Sequence, residues 1–272
     1  DNGLPHGPFA VITSDADIAA AADNLFPAIL KVARFGYDGK GQARVANAAE
    51  ALHAFHQFKG EPCVLEQMLS LDYEVSVVLA RDENGKTRCF PTVENQHTHG
   101  ILDVSIAPAR ASACQQDSAQ EYAERIAERL GFIGTLAVEF FVSRGQLVVN
   151  EMAPRPHNSG HHTIDACAVS QYDQQVRALC GLPLGEPRQH SASVMVNLLG
   201  ELWFEGGDPH GRYREPDWSI LHAVPGLKLH LYGKHHARHG RKMGHFTVIG
   251  AEPADVLEKA LAARAAIGIR DE

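Results

Sequence analysis

Two short apolar runs near the middle of the chain limit the possible folds more than any other feature of the sequence. The runs are Leu136–Val142 and Gln146–Asn150, and the tripeptide Ser143-Arg144-Gly145 separates them. Valine and phenylalanine dominate the runs. Such runs around a gap that ends in glycine predict a β-hairpin with a three-residue loop.

Glu139 and Glu151 are the two carboxylates that this hairpin would bring together. The three-residue loop predicts that Glu139 pairs with Val149, and Glu151 then lies two residues further along on the same face. Diagonal neighbours in an antiparallel pair are about 7–8 Å apart, so two long side chains can reach one ion. With Asn150 they supply the oxygen ligands that a hard divalent cation prefers. Solvated strand glutamates are the alternative, and a shift of one residue would separate the carboxylates.

The segment after the hairpin, Arg155–His162, is an unusual polar run with the sequence RPHNSGHH. An isolated hairpin with two glutamates is better explained by solvent exposure. Arginine, histidine and asparagine directly after the second strand favour a functional site instead.

Composition and charge exclude several classes of protein. The chain has 272 residues, of which 44% are hydrophobic, enough for one large core or two smaller ones. Neither an apolar run of about 20 residues nor a signal peptide is present, which predicts a soluble cytoplasmic protein. The formal net charge of −8 argues against a nucleic-acid partner. The first ten residues are loop-like, so we expect the chain to begin inside a longer protein.

A glycine-rich loop, Gly36–Gln42, follows a predicted strand over residues 27–32 that contains Lys31. Backbone amides in such a loop can approach phosphate oxygens closely. The loop lacks the lysine of a Walker motif and the glycine order of a dinucleotide fingerprint. It therefore predicts a lid over phosphates, with a plain surface hairpin as the commoner alternative.

Two further glutamates interrupt apolar strands. Glu66 lies in the predicted strand 63–67, and Glu74 lies in a predicted hairpin, 73–81 and 87–93, that turns at Asn84-Gly85. A carboxylate at such a strand end can hold the edge of adenine or the hydroxyls of ribose. An exposed glutamate on the outer face explains each position equally well.

Helices are predicted between these strands as well. Capping patterns place the clearest helix over 117–130, with Asp117 as its N-cap, Ser118 and Glu121 at capping-box spacing and Gly131 as its end. Other helices are predicted over 17–24, 46–58, 163–179 and 253–266, and later strands over 193–199, 228–232 and 243–249. A Gly/Pro-rich loop separates the first two of these strands, and the basic segment Lys234–Lys242 (KHHARHGRK) precedes the third.

The motifs in this order resemble the ATP-grasp ligases, most closely the N5-carboxyaminoimidazole ribonucleotide synthetases of purine biosynthesis. The resemblance covers nearly the whole chain. The sequences that carry it are FGYDGKGQ (35–42), LEQ (65–67), YEVSV (73–77), ENQHTHGIL (94–102), AVEFF (137–141), NEMAPRPHNSGHHT (150–163), SVMVNLLG (193–200) and YGKHHARHGRKMGH (232–245).

The resemblance implies an ATP-grasp fold, in which two α+β subdomains grip ATP. We expect a linker over 1–13, the small subdomain with its lid over 14–91, and the large subdomain with the C-terminal domain over 92–272. Family members begin with a Rossmann-like domain, and this chain is expected to start after it. The resemblance also implies a homodimer.

The reaction implied is the carboxylation of aminoimidazole ribonucleotide by bicarbonate and ATP, through carboxyphosphate. The residues expected to contact ATP are Lys31, Gly36, Tyr37, Asp38, Gly39, Lys40, Gly41, Gln42, Glu66, Gln67, Glu74 and His97. Glu139 and Glu151 are expected to bind Mg²⁺, with Asn150 beside them. Contacts to the ribonucleotide and bicarbonate are expected from Tyr37, Asp38, Gly39 and Lys40, together with the catalytic set Arg155, His157, Asn158 and Lys234. Arg241 and Lys242 are expected to hold the 5′-phosphate.

Three alternatives remain open at this point. His157, His161 and His162 have a spacing that zinc sites use, although no cysteine is near. The same fold with another acceptor would give an enzyme like formate-dependent glycinamide ribonucleotide transformylase, or a carboxylase subunit. The third alternative is a truncated nucleotide-binding module without activity.

Overall fold

The computed structural model describes residues 3–34, 41–208 and 211–269, and its internal contacts divide the chain into two compact units. The first unit comprises Asp1–Asp72, His99–Ile101 and Phe141–Asn150. The second comprises Tyr73–Thr98, Leu102–Phe140 and Glu151–Glu272.

The first unit contains a four-stranded sheet with two helices packed on it. Its strands are β1 (Phe9–Ile12), β2 (Ala28–Val32), β3 (Gln42–Val45) and β4 (Cys63–Gln67). They form an antiparallel sheet in the order β1-β4-β2-β3. Helices α1 (Asp15–Ala20) and α2 (Ala48–Gln57) contribute Ile18 and Phe55 to a core shared with Leu30 and Leu65. The apolar face of each helix is therefore buried against the sheet.

A second, larger sheet has nine strands. Its strands are β5 (Tyr73–Arg81), β6 (Thr87–Cys89), β7 (Val93–Thr98), β8 (Ile101–Ala107), β9 (Gly134–Ser143), β10 (Gln146–Ala153), β11 (Ala192–Leu199), β12 (Leu227–Leu231) and β13 (Lys242–Gly250). Their order is β10-β9-β5-β7-β8-β11-β13-β12, and β6 pairs with β5. The three late strands predicted from the sequence are confirmed to within one residue at each end.

The helices of the second unit are α3 (Ala113–Leu130), α4 (Thr163–Ala166), α5 (Gln171–Leu179), α6 (Ser219–His222) and α7 (Pro253–Ala266). Helix α7 packs on β11 and β13 through Val256 and Ala260, which are fully buried with Phe246 and Val248. Within the described residues, none of the helices combines the length and the hydropathy needed to cross a membrane.

Arg264 of α7 is buried in this packing and forms a two-point ion pair with Asp103 of β8. Its Nη2 and Nε donate to the two carboxylate oxygens of Asp103 at 2.6 and 3.2 Å, and its side chain is only 6% exposed. A guanidinium buried to this extent needs such a partner, because an unpaired charge in the interior is strongly unfavourable.

Two helix predictions were wrong because a stronger capping signal lies elsewhere. Helix α3 begins four residues before the predicted cap, where Ser112 and Gln115 form a capping box. The helix predicted over 163–179 is broken into α4 and α5, because Ser170 caps α5 through a box with Asp173. A residue that caps one helix has an extended backbone and ends any helix before it.

The two compact units do not coincide with the subdomains expected from the sequence. The expected boundary after residue 91 falls between β5 and β7, and these strands pair through Glu74 and Asn95. The expected linker over 1–13 contains β1, which pairs with β4. Strand pairing therefore ties each expected boundary into a sheet.

Candidate functional site

The hairpin that carries Glu139 and Glu151 is formed by β9 and β10, but its loop is shorter than predicted. Ser143 still belongs to β9, and the loop is Arg144-Gly145, with φ values of 50° and 75°. Positive φ at both loop residues is typical of a type I′ turn, which suits the twist of a hairpin. The predicted three-residue loop is therefore wrong, and the pairing of Glu139 with Val149 stays a prediction.

Glu139 is buried, and its carboxyl responds to the charge of Glu151. Its side chain is 8% exposed, between Val138 and Phe140, which are fully buried. The pKa of the Glu139 carboxyl is raised to about 7, mainly by burial; the charges of Glu151 and Glu74 add to this shift, and those of His97 and Lys242 oppose it. The carboxyls of the second unit thus form a cluster in which a proton or a cation must offset the negative charge.

His97 and Glu74 form an ion pair beside this cluster. The distance between His97 Nδ1 and Glu74 Oε2 is 2.9 Å, and both side chains are about one-fifth exposed, at 19% and 22%. Burial alone lowers the pKa of His97, but the hydrogen bond and charge of Glu74 and the charge of Glu139 outweigh it and raise the pKa. The charged form of His97 is thus favoured more than in a free histidine.

His157 also lies close to Glu139, but its pKa is shifted in the opposite direction to that of His97. Its Nε2 is 3.4 Å from Glu139 Oε1. Burial, together with the positive charges of Arg155 and Lys242, lowers the pKa of His157 to about 3. Its backbone N–H donates to Gln171 Oε1 and its carbonyl accepts from Gln171 Nε2, both at 2.8 Å. The ring is therefore neutral at pH 7 and its backbone is held in place.

Two amide side chains near these residues have buried atoms without hydrogen-bond partners in the described part of the chain. They are Oδ1 of Asn150, the residue before Glu151, and Nδ2 of Asn158. Buried polar groups are almost always satisfied by protein, water or ligand. These two amide atoms therefore mark positions where a ligand can supply the partner.

The residues present fit a divalent cation. Glu139, Glu151 and Asn150 offer hard oxygen donors, and Oδ1 of Asn150 has no other described partner. A bound cation would displace the proton that Glu139 holds near neutral pH, because it stabilises the carboxylate. Magnesium favours this kind of ligand set.

A second group of histidines lies further along the chain. Among the described residues, the three potential metal-binding atoms found within 4.8 Å of one another belong to Asp165, His230 and His245. His230 Nε2 lies 2.8 Å from Asp165 Oδ2. The rings of His230 and His245, a cross-strand pair, stack with centroids 4.5 Å apart and planes at 15°. Lone pairs in nearly parallel planes do not converge, so this arrangement suits a stacked aromatic cluster better than a metal site.

The zinc alternative on His157, His161 and His162 is wrong. His157 Nδ1 accepts from the backbone of Ser159, whereas His162 Nδ1 lies 3.0 Å from Ser159 O. His161 Nδ1 lies 3.1 Å from the hydroxyl of Tyr172. Nε2 of His162 has no hydrogen-bond partner among the described residues, but the ligand atoms that come together within 4.8 Å there do not include those of these three histidines.

The basic segment is fastened to the turn after β11. Gly240 N–H donates to Glu201 Oε1 at 2.9 Å, and Gly200 N–H donates to Arg241 O at 2.9 Å. A Cβ on Gly200 would lie 2.1 Å from Arg238 O, so only glycine allows this approach. The main chain thus sets the position of the segment before its charges act.

The charged side chains of this segment have different partners. Arg241 Nη1 donates to His236 O at 2.6 Å, and Lys234 Nζ donates to Lys242 O while lying 5.2 Å from the centre of the Tyr232 ring. The charge of Lys242 lowers the pKa of Glu139 and of His157. Lys242 therefore acts on the acidic cluster, a role that the sequence did not suggest.

The predicted ATP residues of the first unit are described in part. Lys31 Nζ lies 2.6 Å from Glu66 Oε2, so these two predicted residues form an ion pair across β2 and β4. Gln67 Nε2 donates to Asn24 O at 2.6 Å. Gly41 has a φ of 74°, and Gln42 pairs with Lys31. The rest of the predicted lid, residues 36–40, lies outside the described residues.

Several residues around the acidic cluster were missed by the sequence analysis. They are Ser159, Gln171, Glu201 and the stacked pair His230 and His245. His230 and His245 are directly opposite each other on β12 and β13, so the correct register of these strands would have revealed the pair. Gln171 and Glu201 carry no local signal, because their partners are 14 and 39 residues away in sequence.

Comparison with known proteins finds similarity over both parts of the chain. A model of the ATP-grasp domain matches residues 1–172, and a model of the phosphoribosylaminoimidazole carboxylase C-terminal domain matches residues 193–259. The N5-carboxyaminoimidazole ribonucleotide synthase of Bacillus subtilis is 41% identical over 255 residues, which are 93% of this chain and 64% of the relative. The same enzyme of Brucella melitensis is 41% identical over 256 residues, 92% of this chain and 67% of the relative. The chain thus spans about two thirds of the length of these relatives.

Solved structures of the same group are similar throughout. The synthetase of Thermus thermophilus superposes with a TM-score of 0.85 at 38% identity, covering 98% of this chain and 69% of that one. The synthase of Aspergillus clavatus, in complex with ADP and 5-aminoimidazole ribonucleotide, gives a TM-score of 0.84 at 28% identity, with 97% and 69% covered.

Proposed function

Because the chain belongs to the ATP-grasp superfamily, and within it to the N5-carboxyaminoimidazole ribonucleotide synthases, we propose that it carries out their ATP- and bicarbonate-dependent carboxylation. In this reaction the γ-phosphoryl group of ATP moves to bicarbonate and gives carboxyphosphate and ADP. The 5-amino nitrogen of aminoimidazole ribonucleotide then attacks the carboxyl carbon, and phosphate leaves as N5-carboxyaminoimidazole ribonucleotide forms. The observation that supports this proposal best is the buried carboxyl of Glu139, whose pKa responds to the charges of His97, Glu151 and Glu74 and which lies 3.4 Å from Nε2 of the neutral His157 ring.

Glu139 and Glu151, with Asn150 beside them, would hold Mg²⁺. When bound, the ion would neutralise charge on the phosphates as the γ-phosphoryl group moves. The proximity of the two carboxyls and the unpaired oxygen of Asn150 support this assignment.

ATP would be bound by Lys31, Gly41, Gln42, Glu66 and Gln67 of the first unit, together with the predicted lid residues 36–40. Glu74 and His97 are the other residues proposed to contact ATP. The ammonium group of Lys31 is paired with Glu66 on the neighbouring strand at 2.6 Å. In this assignment phosphate oxygens would compete with Glu66 for the ammonium group.

Arg155, His157, Asn158 and Lys234 would contact the ribonucleotide and bicarbonate. The neutral ring of His157 and the unpaired amide nitrogen of Asn158 can each donate a hydrogen bond to an anionic oxygen. Arg241 remains our candidate for the 5′-phosphate. Lys242 is proposed for the same role, although its influence on Glu139 also suits a contact to carboxyphosphate.

The proposal is tested by measuring ADP release from the intact protein with each pair of acceptor and carbon source. Release should require aminoimidazole ribonucleotide and bicarbonate together. Formate with glycinamide ribonucleotide should give no more than the background rate. ADP release that depends on formate would support the transformylase alternative, and ATP binding without turnover would support the non-catalytic module.

Replacing Arg241 with alanine should raise the KM for the ribonucleotide about tenfold, since a charged hydrogen bond to phosphate contributes about 1.5–3 kcal/mol. The KM for ATP should change less than about twofold on the same argument. Arg238→Ala is a matched control, because it removes the same charge from an exposed position of the same segment. Equal effects of Arg241→Ala on both substrates, or equal effects of the two variants, would contradict the assignment.

We also propose that the protein acts in the cytoplasm as a homodimer, as its family resemblance implies. Sedimentation at micromolar concentration tests the assembly: a single species with the mass of one chain would contradict it.

A further inference from the structure

A chain of buried hydroxyl and amide groups runs through the larger sheet towards His157. Its members lie on β8, β7, β5 and the turn before α4, and all are between 0% and 3% exposed. Ser105 Oγ donates to Asn95 Oδ1 at 2.9 Å, and Asn95 Nδ2 donates to Ser76 Oγ at 2.8 Å. Ser76 Oγ donates to Ser159 Oγ at 2.9 Å, and Ser159 Oγ lies 3.0 Å from His157 Nδ1.

The direction of this chain follows from its last member. The backbone N–H of Ser159 can only donate, and it donates to His157 Nδ1 at 3.3 Å. Nδ1 is therefore an acceptor, and the Ser159 hydroxyl beside it must donate as well. Having given its hydrogen to His157, this hydroxyl accepts from Ser76, and Ser76 in turn accepts from the amide of Asn95. Every hydrogen in the chain points towards His157.

We propose that Ser159, Ser76, Asn95 and Ser105 are positioning residues that keep the hydrogen of the His157 ring on Nε2. Nε2 faces Glu139 Oε1 at 3.4 Å. The ring thus presents an N–H donor, and not an acceptor, to oxygen atoms bound beside Glu139. This last statement rests on the proposed function, in which those oxygens belong to bicarbonate or to the carboxyphosphate derived from it.

The tautomer of His157 with its hydrogen on Nδ1 is unfavourable in these surroundings. A hydrogen on Nδ1 would face the backbone N–H of Ser159, so two donors would meet. It would also leave the Ser159 hydroxyl without an acceptor, and an unsatisfied buried polar group costs about 1–3 kcal/mol. Burial of the chain at 0–3% exposure keeps this penalty high, because an unpaired polar group is costlier where the local dielectric constant is low.

Position 76 offers a matched pair of variants. Threonine and valine have the same shape and both suit a strand, but only threonine retains the hydroxyl. Crowding by the added methyl group is therefore the same in Ser76→Thr and Ser76→Val. Ser159→Ala removes the next hydroxyl of the chain without adding volume, so it still tests the proposal if residue 76 tolerates no larger side chain.

The readout is the ¹⁵N chemical shift of the two ring nitrogens of His157, assigned with His157→Gln. We expect hydrogen on Nε2 in the unaltered chain and in Ser76→Thr. In Ser76→Val and Ser159→Ala, the population with hydrogen on Nδ1 should rise at least about fivefold, since one lost buried hydrogen bond corresponds to about 1 kcal/mol. Hydrogen on Nδ1 in the unaltered chain, or identical shifts in Thr and Val variants and in Ser159→Ala, would overturn the proposal.

Kinetics of the intact protein provide a second readout. Ser76→Val should lower kcat for ribonucleotide-dependent ADP formation about tenfold relative to Ser76→Thr, with the KM for ATP changed less than about twofold. An equal kcat in both variants would mean that the donor on Nε2 is not used in turnover. The ¹⁵N result does not depend on activity, so it decides the tautomer even if the proposed function fails.

Discussion

Glu151→Gln is expected to abolish ADP formation, lowering the rate by about a thousandfold, while the fold remains intact. Glutamine keeps the size of the side chain but replaces a charged ligand with a neutral one. Metal assistance to phosphoryl transfer contributes several kcal/mol, and about 4 kcal/mol corresponds to three orders of magnitude. Glu139→Gln should have a similar effect.

The same substitution has a physical readout that does not require turnover. The charge of Glu151 raises the pKa of Glu139, so Glu151→Gln should lower the pKa of Glu139 in the metal-free protein. Titration of the Glu139 carboxyl by ¹³C NMR measures the change. Glu121→Gln on the exposed side of α3 is the control, because its side chain is 67% exposed and forms only a surface pair with Arg125. A near-native rate in Glu151→Gln would refute the metal assignment.

The second large effect is on stability. Arg264→Met should lower the free energy of unfolding by about 3–5 kcal/mol, since removing one partner of a buried ion pair leaves Asp103 as an uncompensated charge. Lys259→Met is the control on the same helix. Lys259 pairs with Asp255 at 2.7 Å, but both side chains are about half exposed, and such a pair contributes about 0.3–0.5 kcal/mol.

Urea denaturation of both variants, followed by circular dichroism, would give the comparison. A loss of less than about 1 kcal/mol for Arg264→Met would show that solvent reaches Asp103 when the guanidinium is removed. A double variant, Arg264→Met with Asp103→Leu, should recover much of the loss, because no buried charge then remains without a partner.

The sequence predicted the strands of the larger sheet well, because alternating apolar residues carry a strong periodic signal. Glycine and capping residues predicted the ends of the helices less well. Gly131 ends α3 as predicted, but Asp117 does not begin it, since Ser112 with Gln115 satisfies the first turn more completely. The break before α5 has the same cause at Ser170.

At the site, the family motifs identified Glu139, Glu151 and His157, and the contacts among Glu74, His97, Glu139 and His157 bring four predicted residues together. Sequence patterns do not reveal the hydrogen bonds that residues distant in sequence make to the site. Gln171 orients His157, and Ser76 and Asn95 reach it through Ser159. These pairings depend on which strands become neighbours, and a local pattern does not encode that order.

The close approach of Gly200 to the carbonyl of Arg238 makes it possible to change the position of the positive charges without removing them. Substitutions of the charged residues change both at once. A methyl group at residue 200 would act as a wedge, displacing the cationic segment while every lysine and arginine in it stays chemically unchanged. Comparing Gly200→Ala with substitutions of the lysines and arginines would therefore separate the effect of the position of a positive charge from the effect of its presence.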